Sequence, residues 1–316
     1  MVDGIDYSVM ADDAARKAFA EDPAHPENVA LVDSAYKYGF RYLVGILGCV
    51  SVVLFYLTFA TTRERIAPSK KQETRIAKDV KYLFKNRPWV VLTIVGVVSF
   101  IMFAIQNISI NYYFKYMLDE ESKSQWFNMI GTIALIVAIP FTKPLVKRFG
   151  GRNLYIVCSL LSGFFFCMLY FAGTNFVLIN VFNCLGKISY APAISLLWTM
   201  LADAADYGEW KFSHRTTGLC LSAAVFAQKI GWSIGAAIIG AVMSGVGFKP
   251  ETMTVSAIQA DPVIMDTIHW MFGIVPGLLY ASCAIFLVFY NLDGDTLRRM
   301  KADLEARREG ETALQA

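Results

Sequence analysis

Residues 218–247 read GLCLSAAVFAQKIGWSIGAAIIGAVMSGVG, thirty residues in which Lys229 is the only charge. A helix crosses the roughly 30 Å hydrocarbon core of a bilayer with about 20 mostly apolar residues. The stretch meets that requirement. Gly231, Gly235 and Gly240 add the small residues that let membrane helices approach closely. Six further windows of the same kind stand at 40–60, 90–114, 126–146, 154–174, 176–202 (which includes Pro192) and 268–292. The expected fold is therefore an all-α membrane protein of seven transmembrane helices.

Composition points the same way. Apolar residues make up 56% of the 316 and charged residues 17%, against about 45–50% and about 25% in soluble domains. That excess is more than an interior of this size can hide, so it must face lipid. A net charge of +3, spread over several loops, argues against a nucleic-acid partner. Cys49, Cys158, Cys167, Cys184, Cys220 and Cys283 all lie in apolar runs without CxxC spacing, which fits packing rather than disulfides or zinc. His25, His214 and His269 fall in separate regions; neither a nucleophile–base pair nor metal-ligand spacing is seen, so an enzyme is not expected.

Lysine and arginine set the expected orientation. Connections 62–89, 147–153, 203–217 and 293–316 carry nineteen of them; 1–39, 115–125, 175 and 248–267 carry six. The first set is expected to be cytoplasmic, with the amino terminus outside and the carboxyl terminus inside. The organisation that follows is an acidic outer segment (1–37), a single transmembrane helix (38–61), a basic linker (62–89), a six-helix bundle (90–292) and a cytoplasmic tail (293–316). Within the linker, Ile76, Val80, Leu83 and Phe84 recur at helical spacing, which predicts a short amphipathic helix on the membrane surface.

The seven windows contain no Asp or Glu and four basic residues. Arg41 and Lys143 lie near helix ends, where long side chains reach the interface. Lys187 and Lys229 each stand eleven residues in, about 16 Å deep. An ammonium at that depth costs at least about 2.5–3.5 kcal/mol unless something compensates. The two lysines are thus expected to face a polar cavity or an external partner. Gln106, Asn107, Asn111, Asn183, Tyr190, Trp198 and Gln228 are the polar and aromatic groups that could line such a cavity. Their types suit a sugar, and they equally suit hydrogen bonds between helices.

After the fifth window comes MLADAADYGEWKFSHRTTG (200–218), which gathers Asp203, Asp206, Glu209, Lys211 and Arg215 at one membrane edge. Read as a charged loop it is solvated surface. Read as an inner gate, its ion pairs hold helix groups together and break on opening.

This stretch resembles the glycoside–pentoside–hexuronide:cation symporters of the major facilitator superfamily. The likeness is carried by Asp203, Asp206-Tyr207-Gly208-Glu209-Trp210-Lys211, Arg215 and Gly218, with Lys229 following on the next helix. FKNRPW (84–89) and LDGDTLRR (292–299) agree with it, and KRFGGR (147–152) resembles the basic inner loop common in the wider major facilitator superfamily. The resemblance implies twelve helices in two bundles, with substrate held between them. The second to seventh windows would form the carboxyl-terminal bundle, and the first would be helix six. Helices one to five would lie in a missing amino-terminal half, the bundle that in the family carries the cation-binding carboxylates and most sugar-binding charges.

The implied activity is sodium- or proton-coupled symport of a sugar or glycoside across the inner membrane of a bacterium, with no cofactor beyond the coupling ion. Lys229 would border the cation site, and Lys187, Asn107, Asn111, Asn183, Trp198 and Gln228 remain cavity candidates. Ser213 and His214 depart from the family pattern, as do Val225, Phe226 and Gln228 around Lys229. Two alternatives stand beside this reading: a carrier of lysolipids or other small molecules on the same fold, and a seven-helix receptor.

Overall fold

In the computed structural model, residues 28–62, 76–212, 217–250, 252–292 and 294–313 are described, and among them there is helix and no strand. Seven helices or helix pairs are long and apolar enough to cross a membrane. The chain divides into two units, residues 1–72 and 73–316. The first contains α1 (Asn28–Thr61), whose segment Lys37–Thr61 is one of the seven long and apolar enough to cross a membrane.

The second unit opens with α2 (Ile76–Lys85) and α3 (Arg87–Tyr112), the latter extended by a π-helical turn, Tyr113–Met117. α4 (Lys123–Ala138) continues through a 3₁₀ turn at Pro140 into α5 (Thr142–Phe149). Then follow α6 (Gly151–Phe171), α7 (Phe176–Phe212) and α8 (Thr217–Gly245). The short α9 (Val255–Ala260) precedes α10 (Pro262–Phe272) and α11 (Ile274–Val288), and α12 (Gly294–Ala313) ends the described chain.

The bundle is a chain of pairwise helix contacts: α8 on α3, α3 on α11, α11 on α6, α6 on α7 and α7 on α4. Small residues make the crossings close. A Cβ at Gly231 would stand 2.8 Å from the Val97 carbonyl, and one at Gly235 would stand 2.7 Å from the Ile101 carbonyl. α8 can therefore lie directly on the α3 backbone, where dispersion replaces the hydrophobic drive that lipid does not supply. The same argument holds between α6 and α11, where a Cβ at Gly163 would meet the Gly277 carbonyl at 2.7 Å.

Three details differ from the sequence reading. The last span covers Pro262–Val288 rather than 268–292. Asp261 caps α10 by accepting from the amides of Val263 and Ile264, and proline suits the first helical position. Asp266 consequently belongs to a spanning helix, though it is exposed and lies within the first turns. The run after residue 202 is not a loop: α7 continues to Phe212. Charge ends the apolar window there, but Ala, Leu, Glu and Lys sustain the helix.

α2 forms over the spacing that predicted it. Leu83 is buried, while Val80 and Phe84 are exposed. Asn86 fixes its junction with α3. The Asn86 side chain accepts from the Trp89 amide at 3.2 Å, capping α3, and donates to the Ala204 carbonyl of α7 at 2.6 Å. The Trp89 indole donates to the Cys220 carbonyl of α8 at 3.3 Å.

Candidate functional site

Lys187 lies eleven residues into α7 and points between α3 and α6. Its ammonium is 5.7 Å from the Phe103 ring centre and 5.9 Å from that of Phe166. Gln106 Oε1 accepts from its Nζ at 3.5 Å. Gln106 is 1% exposed, and its Nε2 has no hydrogen-bond partner.

Phe103 extends this site to α8. Its ring stacks on Trp232, centroids 5.6 Å apart and planes 21° from parallel. The Lys229 ammonium in turn lies 5.8 Å from the Trp232 ring centre. Lys187, Phe103, Trp232 and Lys229 thus run in series across three helices, an ammonium at each end and two aromatic faces between. Each lysine gains a cation–π contact of about 0.5–2 kcal/mol. The Gly231 and Gly235 crossing makes the stack possible by bringing α8 against α3 at this level.

The other cavity candidates are placed differently. Asn107 donates to the Phe103 carbonyl at 2.8 Å on its own helix, and Asn111 donates to the Asn107 carbonyl at 3.5 Å. Asn183 is fully buried between α7 and α4, donating to the Phe127 carbonyl at 3.0 Å while its Oδ1 has no partner. Trp198 and Gln228 are half-buried. Tyr190 is buried and meets Tyr280 edge-on, with centroids 4.9 Å apart.

Phe103, Phe166 and Trp232 were not singled out from the sequence. Trp232 stands three residues after Lys229, one helical turn along the same face, and that spacing could have identified it. Phe103 and Phe166 carry no comparable mark among 23 phenylalanines.

The second cluster lies at the carboxyl end of α7. Asp203, Asp206 and Glu209 follow at helical spacing and are half-buried. Asp203 pairs with Lys301 of α12 at 2.9 Å. The Trp210 indole donates to Asp303 at 2.9 Å, and Arg307 donates to the Trp210 carbonyl at 3.4 Å. Lys211 donates to the Tyr207 hydroxyl at 3.0 Å. Gly208 fits under Asn86, whose Nδ2 would stand 3.1 Å from a Cβ there. Met300 and Leu304 of α12 are buried beside this cluster. Burial and then the Asp203 carboxylate hold the Tyr290 phenol above its ordinary range. Arg215 lies outside the described residues.

Among the described residues, no group of three or more His, Cys, Asp or Glu side chains could hold a metal ion.

A family model described as MFS/sugar transport protein matches residues 28–294. The uncharacterized symporter YnaJ of Bacillus subtilis is 28% identical over 272 residues, covering 85% of this chain and 57% of that protein. The isoprimeverose transporter of Lactiplantibacillus pentosus is 29% identical over 280 residues, covering 88% of this chain and 57% of the relative. The inner membrane symporter YicJ of Escherichia coli is 24% identical over 284 residues, covering 88% and 59%. The chain spans little more than half the length of these relatives. Their names are those of transport proteins, not enzymes.

Proposed function

The chain belongs to the MFS/sugar transport protein family, and on that premise we propose that it carries one wall of a cation-coupled sugar or glycoside symporter. The series Lys187–Phe103–Trp232–Lys229 supports this reading best. Aromatic faces suit the apolar faces of a sugar ring, while ammonium and amide groups suit its hydroxyls. Substrate would lie at mid-membrane between this bundle and an amino-terminal set of helices, as in transporters built from two related halves. The relatives' additional length has room for such a set.

In this scheme Lys229 borders the coupling-ion site. It shares carboxylate oxygens of the amino-terminal helices with a sodium ion or proton. Cation binding then changes the partner available to Lys229, and with it the relative stability of inward- and outward-facing states. The α7 end, with Asp203, Asp206, Tyr207, Gly208, Glu209, Lys211 and Arg215, would form the cytoplasmic gate. The protein would reside in a bacterial inner membrane, amino terminus outside.

The test is uptake of labelled glycosides by proteoliposomes that hold this chain together with amino-terminal helices of a relative. An imposed sodium or proton gradient should drive accumulation, and Lys229→Met should abolish the gradient's effect while leaving exchange at equilibrium. Accumulation indifferent to both gradients would remove the coupling scheme. Cation stimulation that persisted in Lys229→Met would reduce that residue to packing.

A further inference from the structure

Asp266 is a carboxylate inside a spanning helix, on a side that faces out of the bundle. It belongs to the span Pro262–Val288 and is exposed. Asp203 on α7 has Lys301 beside it; among the described residues Asp266 takes part in no ion pair. His269, one turn further along α10, lays its ring on Tyr170 of α6, with centroids 4.2 Å apart. A carboxylate in such a segment is kept where something compensates its charge.

The depth of Asp266 narrows the choice. The span has 27 residues, about 40 Å of helix, against roughly 30 Å of hydrocarbon. The excess lies in the headgroup layers, where tryptophan gathers. Trp270 stands one turn deeper than Asp266 on the same face and is 47% exposed. Both residues border a groove of about 420 Å³ whose other walls include Val242 of α8, Met271 of α10 and Val275 of α11. An ionised carboxylate only accepts hydrogen bonds, and an indole N–H only donates. Among the described residues the Trp270 N–H has no acceptor; its ring meets that of Tyr170 at 5.6 Å. Inward along the groove the order is acceptor, donor, apolar wall.

We propose that this groove between α8 and α10 binds phosphatidylethanolamine, held as a resident lipid rather than as cargo. The headgroup has the same order: a primary ammonium outermost, then a phosphate, then hydrocarbon. The ammonium donates to Asp266, a phosphate oxygen accepts from the Trp270 indole, and an acyl chain runs along Val242, Met271 and Val275. A primary ammonium is required because the carboxylate needs N–H donors, and a trimethylated headgroup has none. The site is separate from the Lys187 and Lys229 face and does not rest on the sugar-transport reading.

Native mass spectrometry of the detergent-solubilised 316-residue chain tests this, with dioleoyl phosphatidylethanolamine and dioleoyl phosphatidylcholine as probes. The two lipids differ only in the methyl groups on nitrogen, so basic surfaces elsewhere treat them alike. The ethanolamine lipid should bind at least about tenfold more tightly, the size expected of a charge-assisted hydrogen bond. Asp266→Asn should bring the two within about twofold of each other, and Asp266→Glu should retain the preference. Trp270→Phe keeps a ring and loses the N–H, so it should weaken both lipids and leave their ratio in place. Melting followed by circular dichroism shows that each variant is folded.

Equal affinities in the parent chain would overturn the site and reduce the groove to ordinary lipid contact. An ethanolamine preference that survived in Asp266→Asn would move the ammonium to another place. Unchanged binding of both lipids by Trp270→Phe would take the phosphate away from the indole.

Discussion

Replacing Asn86 separates two jobs that one side chain performs. Its Oδ1 caps α3 at the Trp89 amide, and its Nδ2 ties that cap to the Ala204 carbonyl of α7, 118 residues away. Loss of an N-cap costs typically about 1 kcal/mol. Ala204 remains in the interior of α7, so losing the Asn86 bond forfeits only its net worth, again about 1 kcal/mol. Asn86→Ala should therefore destabilise the bundle by about 2 kcal/mol, and lower the melting midpoint by roughly 4–8 °C.

Asn86→Ser retains a capping hydroxyl too short to reach α7, and should lose about half as much as Asn86→Ala. Asn86→Asp retains the cap acceptor but sets a carboxylate oxygen against the Ala204 carbonyl at a position 2% exposed. It should be the least stable of the three, because a buried charge facing a carbonyl costs more than a missing bond. A fluorogenic thiol dye reads the transition directly: the Cys158 and Cys283 thiols are buried, and exposed Cys49 gives a constant background. Melting of Asn86→Asp at or above Asn86→Ser would refute the α3–α7 tie.

The remaining expectations concern the two faces of the membrane and the end of α7. Cysteines placed at Ser69 and Ser256 in a cysteine-free background should react with an impermeant reagent from opposite sides, and labelling of both from outside would overturn the orientation. In a complete transporter, Asp206→Asn should reduce the transport rate more than equilibrium sugar binding; an unchanged rate would end the gate role. Asp203→Asn and Lys301→Met should each cost no more than about 1 kcal/mol, and each should speed proteolytic removal of α12. Equal cleavage rates in parent and variants would mean that the pair does not hold the helix.

The spans were legible because lipid imposes one requirement on every crossing segment, a sustained apolar run. The ends were less so. Hydropathy falls at Asp203, yet the helix runs three turns further, since backbone hydrogen bonding does not depend on a dry environment. Asp266 lowers the apolar signal at the start of the last span, so the sustained apolar run begins after it, at residue 268 rather than 262. Lys187 and Lys229 stood out because charge is rare at that depth.

The aromatic stack between those lysines was not legible, for Phe103 and Trp232 are 129 positions apart in the chain. The docking of α12 is of the same kind. Asp203 with Lys301, and Trp210 with Asp303, are contacts between distant segments, and no local spacing announces them.

α7 is a single 37-residue helix that carries Lys187 toward one end and Asp203 toward the other. It therefore acts as a lever arm. With a rise of 1.5 Å per residue the two residues stand about 24 Å apart, so a tilt of about 5° pivoting at Lys187 displaces Asp203 by about 2 Å. That displacement is enough to break a 2.9 Å ion pair with Lys301. Pro192 lies between pivot and load, and a proline there leaves the Ile188 carbonyl without its helical donor. The arm thus has a built-in compliant point one turn beyond Lys187. Stiffening it with Pro192→Ala would pass a given tilt to the Asp203 end undiminished, whereas the natural proline lets part of it be absorbed as bend.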